Sequence, residues 1–189
     1  GLTKRYGDTV VLDGVSASLG AGKIHGLVGR NGSGKTVLLK CLCGLARYNE
    51  GRILLRGEEA VPYKHLPAGI GVIIETPGFS PQYSGLRNLM YLARLQNRVG
   101  KEEVRKAIEA VGLDPGSRKH VGKYSLGMRQ RLGIAQAFME GQDILLLDEP
   151  MNGLDKQGLA DMRQLFLQLK EEGRTIVLAS HSSEDIGIL

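Results

Sequence analysis

Gly29 to Thr36 reads Gly-Arg-Asn-Gly-Ser-Gly-Lys-Thr, and no other stretch limits the fold of this chain as strongly. Ahead of it, Lys23-Ile-His-Gly-Leu-Val28 predicts a short buried strand. Behind it, Val37-Leu-Leu-Lys-Cys-Leu42 predicts a helix that Gly44 can end. Strand, glycine loop and helix form the context that the pattern G-x-x-x-x-G-K-[ST] requires. Gly29, Gly32 and Gly34 let the backbone turn tightly, so that successive N–H groups, through Asn31 and Ser33, converge on one anion. The positive end of the following helix dipole points at the same place. Lys35 adds a mobile cation for outer phosphates, and the Thr36 hydroxyl is a ligand for Mg²⁺. The loop predicts a nucleoside triphosphate site.

The rest of the chain supplies a frame for that loop. Leu2 to Leu19 alternates as two strands joined through Gly7-Asp8. Further strands are predicted at Arg52–Leu55 and Gly69–Ile74, before Pro77-Gly78 and Pro81 break the pattern. From Leu86 to Gly112 the apolar spacing is helical, with Gly100 separating two helices, and a third helix is predicted from about Met128 to Met139. Ile144-Leu-Leu-Leu147 has the continuous apolar character of a central parallel strand. An amphipathic helix at Lys156–Glu172 and a buried strand at Arg174–Ala179 complete the order. The fold class is α/β: a phosphate-loop core with a mostly parallel sheet, N-terminal antiparallel strands and an inserted helical subdomain. One domain is expected over 1–189, its core at 1–76 and 143–189 and its helical block at 77–142.

A second half of the site follows the apolar run. Ile144 to Pro150 reads Ile-Leu-Leu-Leu-Asp-Glu-Pro, which delivers two acids at the C-terminal end of a strand, where open parallel sheets bind ligands. Asp148 complements Thr36 as a Mg²⁺ site, and Glu149 is placed to orient and deprotonate a water attacking the γ-phosphate. His181 stands at the end of the next buried strand and is expected to hydrogen-bond the γ-phosphate as a switch. His25, His65 and His120 have no such context. Catalytic roles are therefore expected of Glu149, His181 and Lys35.

Composition narrows the partners. The net charge of +5 comes from scattered basic residues, so no direct nucleic-acid contact is expected. Cys41 and Cys43, two apart on one helix, point to different sides and suit neither a disulfide nor a metal pair. No apolar stretch approaches the length of a membrane span, and there is no secretory leader, so a cytoplasmic chain is expected. It starts at Gly1 rather than Met, which suggests trimming.

Taken together, these motifs resemble the nucleotide-binding domain of ATP-binding cassette proteins. Lys123-Tyr-Ser-Leu-Gly-Met-Arg-Gln-Arg131 is similar to that family's signature, Asn152-Gly-Leu-Asp155 to its D-loop, His181 to its switch histidine and Tyr6 to its adenine-stacking aromatic. The resemblance covers essentially the whole chain. It implies ATP and Mg²⁺ as ligands and a head-to-tail dimer in which each ATP lies between one phosphate loop and the opposite signature. Ser125 and the Gly127 N–H would then contact a γ-phosphate held by the other subunit, and Asp155 would link the two sites.

Two departures from the family pattern stand out. Glu75, in Ile73-Ile-Glu-Thr-Pro77, occupies the place where the family usually has a glutamine that senses metal and water. Glu75 is therefore expected as a third metal-site residue, tightening the dependence on Mg²⁺. Tyr-Ser-Leu-Gly-Met replaces the usual Leu-Ser-Gly-Gly-Gln, and with Ile-Glu-Thr-Pro-Gly-Phe79 it resembles an exporter subgroup linked to bacitracin resistance and lantibiotic self-protection. That implies the ATP-hydrolysing motor of a bacterial exporter of peptide antibiotics. It would sit at the inner face of the membrane on a separate permease, docked near Thr76 to Leu86. The family usually adds a helix and a strand after the switch histidine, so a chain ending at Leu189 is expected to be truncated at its C-terminus. The alternatives are a soluble cassette ATPase acting on ribosomes or DNA, a phosphate-loop kinase, and a module that holds ATP without turning it over.

Overall fold

Leucines at 145 and 147 point to one side of a strand and Leu146 to the other, and all three are buried. That pattern requires a sheet covered on both faces. In the computed structural model, which describes residues 1–60, 62, 68–182 and 187, this is the arrangement found. β3 (Ile24–Val28), β6 (Ile70–Ile73), β7 (Ile144–Asp148) and β8 (Thr175–Ser180) form a parallel sheet in the order β3-β8-β7-β6. β1 (Leu2–Tyr6) and β2 (Thr9–Val15) pair antiparallel beside it, turning at Gly7-Asp8 as predicted.

Among the described residues, five α-helices connect these strands. α1 (Lys35–Leu42) follows β3, and α5 (Lys156–Glu171) joins β7 to β8. Between β6 and β7 lie α2 (Gly85–Gln96), α3 (Lys101–Ala110) and α4 (Leu126–Phe138). Ser84 starts α2 by accepting a hydrogen bond from the Arg87 N–H at 3.3 Å, and Asn97 ends it in left-handed backbone. α4 begins two residues earlier than the periodicity predicts. Ser125 caps it through the Met128 N–H at 3.2 Å, which draws Leu126 and Gly127 into the first turn.

The sheet's two faces carry separate cores. On one, Leu145, Leu147, Ile176 and Leu178 meet Leu132 of α4 and Met162 and Phe166 of α5, continuous with Leu89, Val104 and Ile108 of α2 and α3. On the other, Leu146, Val177 and Ala179 meet Leu39 of α1 and Cys43 just beyond its end. Cys41 instead packs with Leu2, Leu12 and Ile53, so the two thiols do face different ways. Burial pushes both thiols above the ordinary cysteine range.

One predicted strand is shorter than expected. Arg52–Leu55 yields only β4 (Leu54–Leu55), without its first two residues, and it ends where predicted because Arg56 (φ 53°) and Gly57 (φ 85°) both enter left-handed backbone. Two such residues reverse the chain at once into β5 (Glu58–Glu59), whose charged side chains gave no apolar signal.

Candidate functional site

The loop between β3 and α1 is built as the spacing required. Gly34 has φ 90°, and an added Cβ there would stand 2.9 Å from the Val11 carbonyl oxygen. Only glycine meets both conditions. The Ser33 N–H donates to the Arg30 carbonyl at 3.2 Å, while Asn31, Gly32 and Ser33 stay exposed at the loop's tip. At Gly29 an added Cβ would meet Ser33 Oγ at 2.6 Å, so the two ends of the loop are pressed together. Lys35 Nζ donates to the Gly29 carbonyl at 2.6 Å and to the Arg30 carbonyl at 3.2 Å, which fixes the ammonium at the loop.

Strand ends bring the acids to this loop. Thr36 Oγ1 donates to Asp148 Oδ2 at 2.6 Å. Asp148 is only 5% exposed, and its Oδ1 has no hydrogen-bond partner among the described residues. A buried carboxylate oxygen left unpaired is costly, and its natural complement is a cation. Thr36 and Asp148 therefore fit a hard metal ion, by donor chemistry and by that unpaired oxygen.

Glu149 lies between two nitrogens. Its Oε1 is 3.9 Å from Lys35 Nζ, and its Oε2 is 2.9 Å from His181 Nδ1. The backbone beneath is fixed too: the Glu149 N–H donates to the Ala179 carbonyl at 2.9 Å, and Gln130 Nε2 donates to the Glu149 carbonyl at 3.2 Å. Glu149 has φ 47°, a left-handed conformation that an ordinary residue keeps only where its surroundings enforce it. Gln130 lies within the signature-like segment Lys123–Arg131, but the sequence gave it no role of its own. It is buried in α4 between Arg129 and Arg131.

Glu75 also stands in left-handed backbone, at φ 60°, just beyond β6. Its Oε1 is 2.6 Å from Lys40 Nζ, one turn along α1 from Thr36. The hydrogen bond that Lys40 donates to Glu75 is the main reason its ammonium is held above the ordinary lysine range. Lys40 was not singled out in the sequence, although its i+4 relation to Thr36 marks the shared face.

The remaining residues lie apart from this cluster. Tyr6 is half exposed, with Lys4 Nζ 4.2 Å from its ring centroid. Ser125 caps α4, and Asp155 caps α5 by accepting from the Gly158 N–H at 2.8 Å. An added Cβ at Gly127 would approach the Gly153 carbonyl oxygen to 2.8 Å, so the segments before these two helices press against each other. The hydrogen bonds and ion pairs of the described residues join none of Ser125, Gly127 and Asp155 to the Gly29–Thr36 loop. Of the histidines without a role, His65 lies outside the described residues.

Comparison with known proteins adds sequence relationships to this geometry. The family model described as "ABC transporter" matches residues 12–152. An uncharacterised ABC transporter ATP-binding protein of Bacillus subtilis, YybJ, is 44% identical over 98% of this chain and 85% of its own length. The bacitracin transport ATP-binding protein BcrA of Enterococcus faecalis is 45% identical over 98% of this chain, which spans 61% of that relative. The lantibiotic transport ATP-binding protein SrtF of Streptococcus pyogenes is 34% identical over 98% of this chain and 80% of its length. In fold, the chain is similar to the dimeric cassette MJ0796, with a TM-score of 0.89 at 23% identity, covering 99% of this chain and 88% of that one.

Proposed function

The chain belongs to the ABC transporter family of ATP-binding cassettes, and from that premise we propose that it is the ATP-hydrolysing motor of an exporter of peptide antibiotics. The observation that carries the reading is the contact chain Lys35–Glu149–His181 beside Thr36–Asp148, at the C-terminal edge of a parallel sheet. The transport names of BcrA and SrtF support the exported class.

Gly29, Asn31, Gly32, Ser33 and Gly34 wrap the β- and γ-phosphates, and Lys35 turns its ammonium from the loop carbonyls to them. Tyr6 stacks on the base. Thr36 and Asp148 would hold Mg²⁺, with Glu75 a further carboxylate at the same sheet edge. The metal, when bound, neutralises charge that develops on the phosphates. Glu149 takes a proton from water as the water oxygen bonds to the γ-phosphorus. The bond to the bridging oxygen breaks, and its electron pair leaves with ADP. His181 holds Glu149 through Nδ1 and turns Nε2 toward the γ-phosphate. Ser125, the Gly127 N–H and Asp155 serve the site of a second cassette, since they lie apart from the loop of their own chain.

No described helix is long and apolar enough to cross a membrane. The transport names of BcrA and SrtF support a separate permease as the membrane-spanning partner. A cavity of about 350 Å³ on α2, bordered by Arg87, Tyr91, Arg94 and Lys101, lies on the helical block at 77–142 near the expected docking face. The test is dimerisation. A Glu149→Gln variant should sediment as a dimer with ATP and as a monomer without it. A variant that stays monomeric at saturating ATP removes the shared-site reading. A multi-span membrane protein encoded beside this chain would support the permease, and its absence would count against it.

A further inference from the structure

Three acids crowd one edge of the sheet: Asp148, Glu149 and, level with them on the neighbouring strand, Glu75. The register that places Ile73 opposite Leu147 sets this alignment. An edge so charged opposes a bound triphosphate. The two acids in left-handed backbone each face a lysine of α1, Glu149 with Lys35 at 3.9 Å and Glu75 with Lys40 at 2.6 Å. Lys35 is already assigned to the phosphates. Lys40 is not.

We propose that Lys40 is a positioning residue of the nucleotide site, which neutralises Glu75 and holds its carboxylate off the triphosphate. The inference rests on the nucleotide-binding reading above. Its geometry is specific, because Thr36 and Lys40 share one face of α1, with Thr36 bonded to the acid of β7 and Lys40 to the acid beyond β6. Glu75 can therefore approach a metal held by Thr36 and Asp148 only by exchanging Lys40 for it. With Lys40 removed, the free carboxylate repels metal-free nucleotide, and a divalent cation offsets that repulsion. Lys40 thus sets how strongly binding depends on Mg²⁺.

Equilibrium binding of a methylanthraniloyl ATP, measured with EDTA and again with Mg²⁺, tests this on the whole chain. Lys40→Met should weaken binding about threefold to tenfold in EDTA and less in Mg²⁺. In EDTA, Lys40→Arg, and Lys40→Met combined with Glu75→Gln, should return to within about twofold of the wild type. Glu75→Gln alone keeps α1 intact and should bind metal-free nucleotide at least as tightly as the wild type. In EDTA, an unchanged Lys40→Met, a double variant as weak as Lys40→Met, or weaker binding by Glu75→Gln would each overturn the proposal. A wild-type chain that binds no nucleotide overturns the parent reading instead.

Discussion

His181 Nδ1 meets Glu149 Oε2 at 2.9 Å, tying together the ends of the two central strands, β7 and β8. The imidazole does not act alone. Glu149 is held at its N–H by Ala179, at its carbonyl by Gln130 and at its carboxylate by His181. Catalysis by a carboxylate base depends on where its oxygens point, so the three contacts are parts of one orientation.

Removing one of them should show as lost rate rather than lost binding. His181→Ala leaves the Glu149 backbone fixed but its carboxylate with only the longer contact to Lys35 at 3.9 Å. Hydrolysis should fall by about 10²-fold while nucleotide affinity stays within a few-fold. Steady-state turnover and equilibrium binding, measured side by side, check the split. A matching loss in affinity would mean that His181 mainly binds.

Replacing the carboxylate itself should cost more. Glu149→Gln preserves shape and a hydrogen bond to His181 but cannot accept the water proton. Turnover should drop by about 10²- to 10⁴-fold, or about 3–5 kcal/mol of barrier. Near-normal hydrolysis would remove Glu149 as the base.

The Thr36–Asp148 contact makes a prediction about stability as well as metal binding. Thr36→Val keeps the branched shape but leaves both oxygens of the buried Asp148 carboxylate without a hydrogen bond. We expect a loss of about 1–3 kcal/mol in urea unfolding without metal, and a weakened Mg²⁺ response in nucleotide binding. Thr36→Ser should restore both.

Much of this was legible in the sequence because each piece has a strict local requirement. The Gly29–Thr36 loop needs glycine where φ is positive, and Asp148 and Glu149 follow an apolar run with the continuous character of a central strand. What was not legible came from distant parts of the chain meeting at the sheet edge. Gln130 comes from α4 and Lys40 from α1, and neither has a neighbouring motif that announces its partner. The β5 strand failed for the opposite reason. Its pairing is imposed by the turn at Arg56-Gly57 and leaves no apolar pattern in Glu58-Glu59.

Arg131 clips α4 to α5 and predicts a pH effect. It donates to the Val111 carbonyl at 2.9 Å and to Asp161 Oδ2 at 3.1 Å. Hydrogen bonds from Gln157 and then Arg131 hold the Asp161 carboxyl below the usual range. A depressed folded-state pKa contributes stability above the unfolded pKa and loses it as pH falls through the folded one. Asp161→Asn imitates the protonated form, so its urea midpoint should lie below the wild type at pH 7, and the gap should close in acid. A gap that persists through the acid range would assign the effect to packing.

Gly71 gives the sharpest prediction about the fold. It lies within β6, where an apolar strand residue would ordinarily be favoured, yet an added Cβ would overlap the Ala137 carbonyl of α4. That carbonyl belongs to a helix backbone and cannot rotate aside. The helix is pinned nearby as well, with Gly133 pressed against Pro77 and Ile73. Gly71→Ala should therefore push α4 off the sheet and carry Gln130 away from the Glu149 carbonyl. We expect destabilisation of about 3 kcal/mol or more, at the upper end for overpacked cores, and lower hydrolysis in whatever fraction folds. Gly78→Ala is the control, since no atom lies within 4 Å of its added Cβ. Urea unfolding of the two variants checks the contrast, and equal stabilities would show that α4 does not rest on β6 at this point.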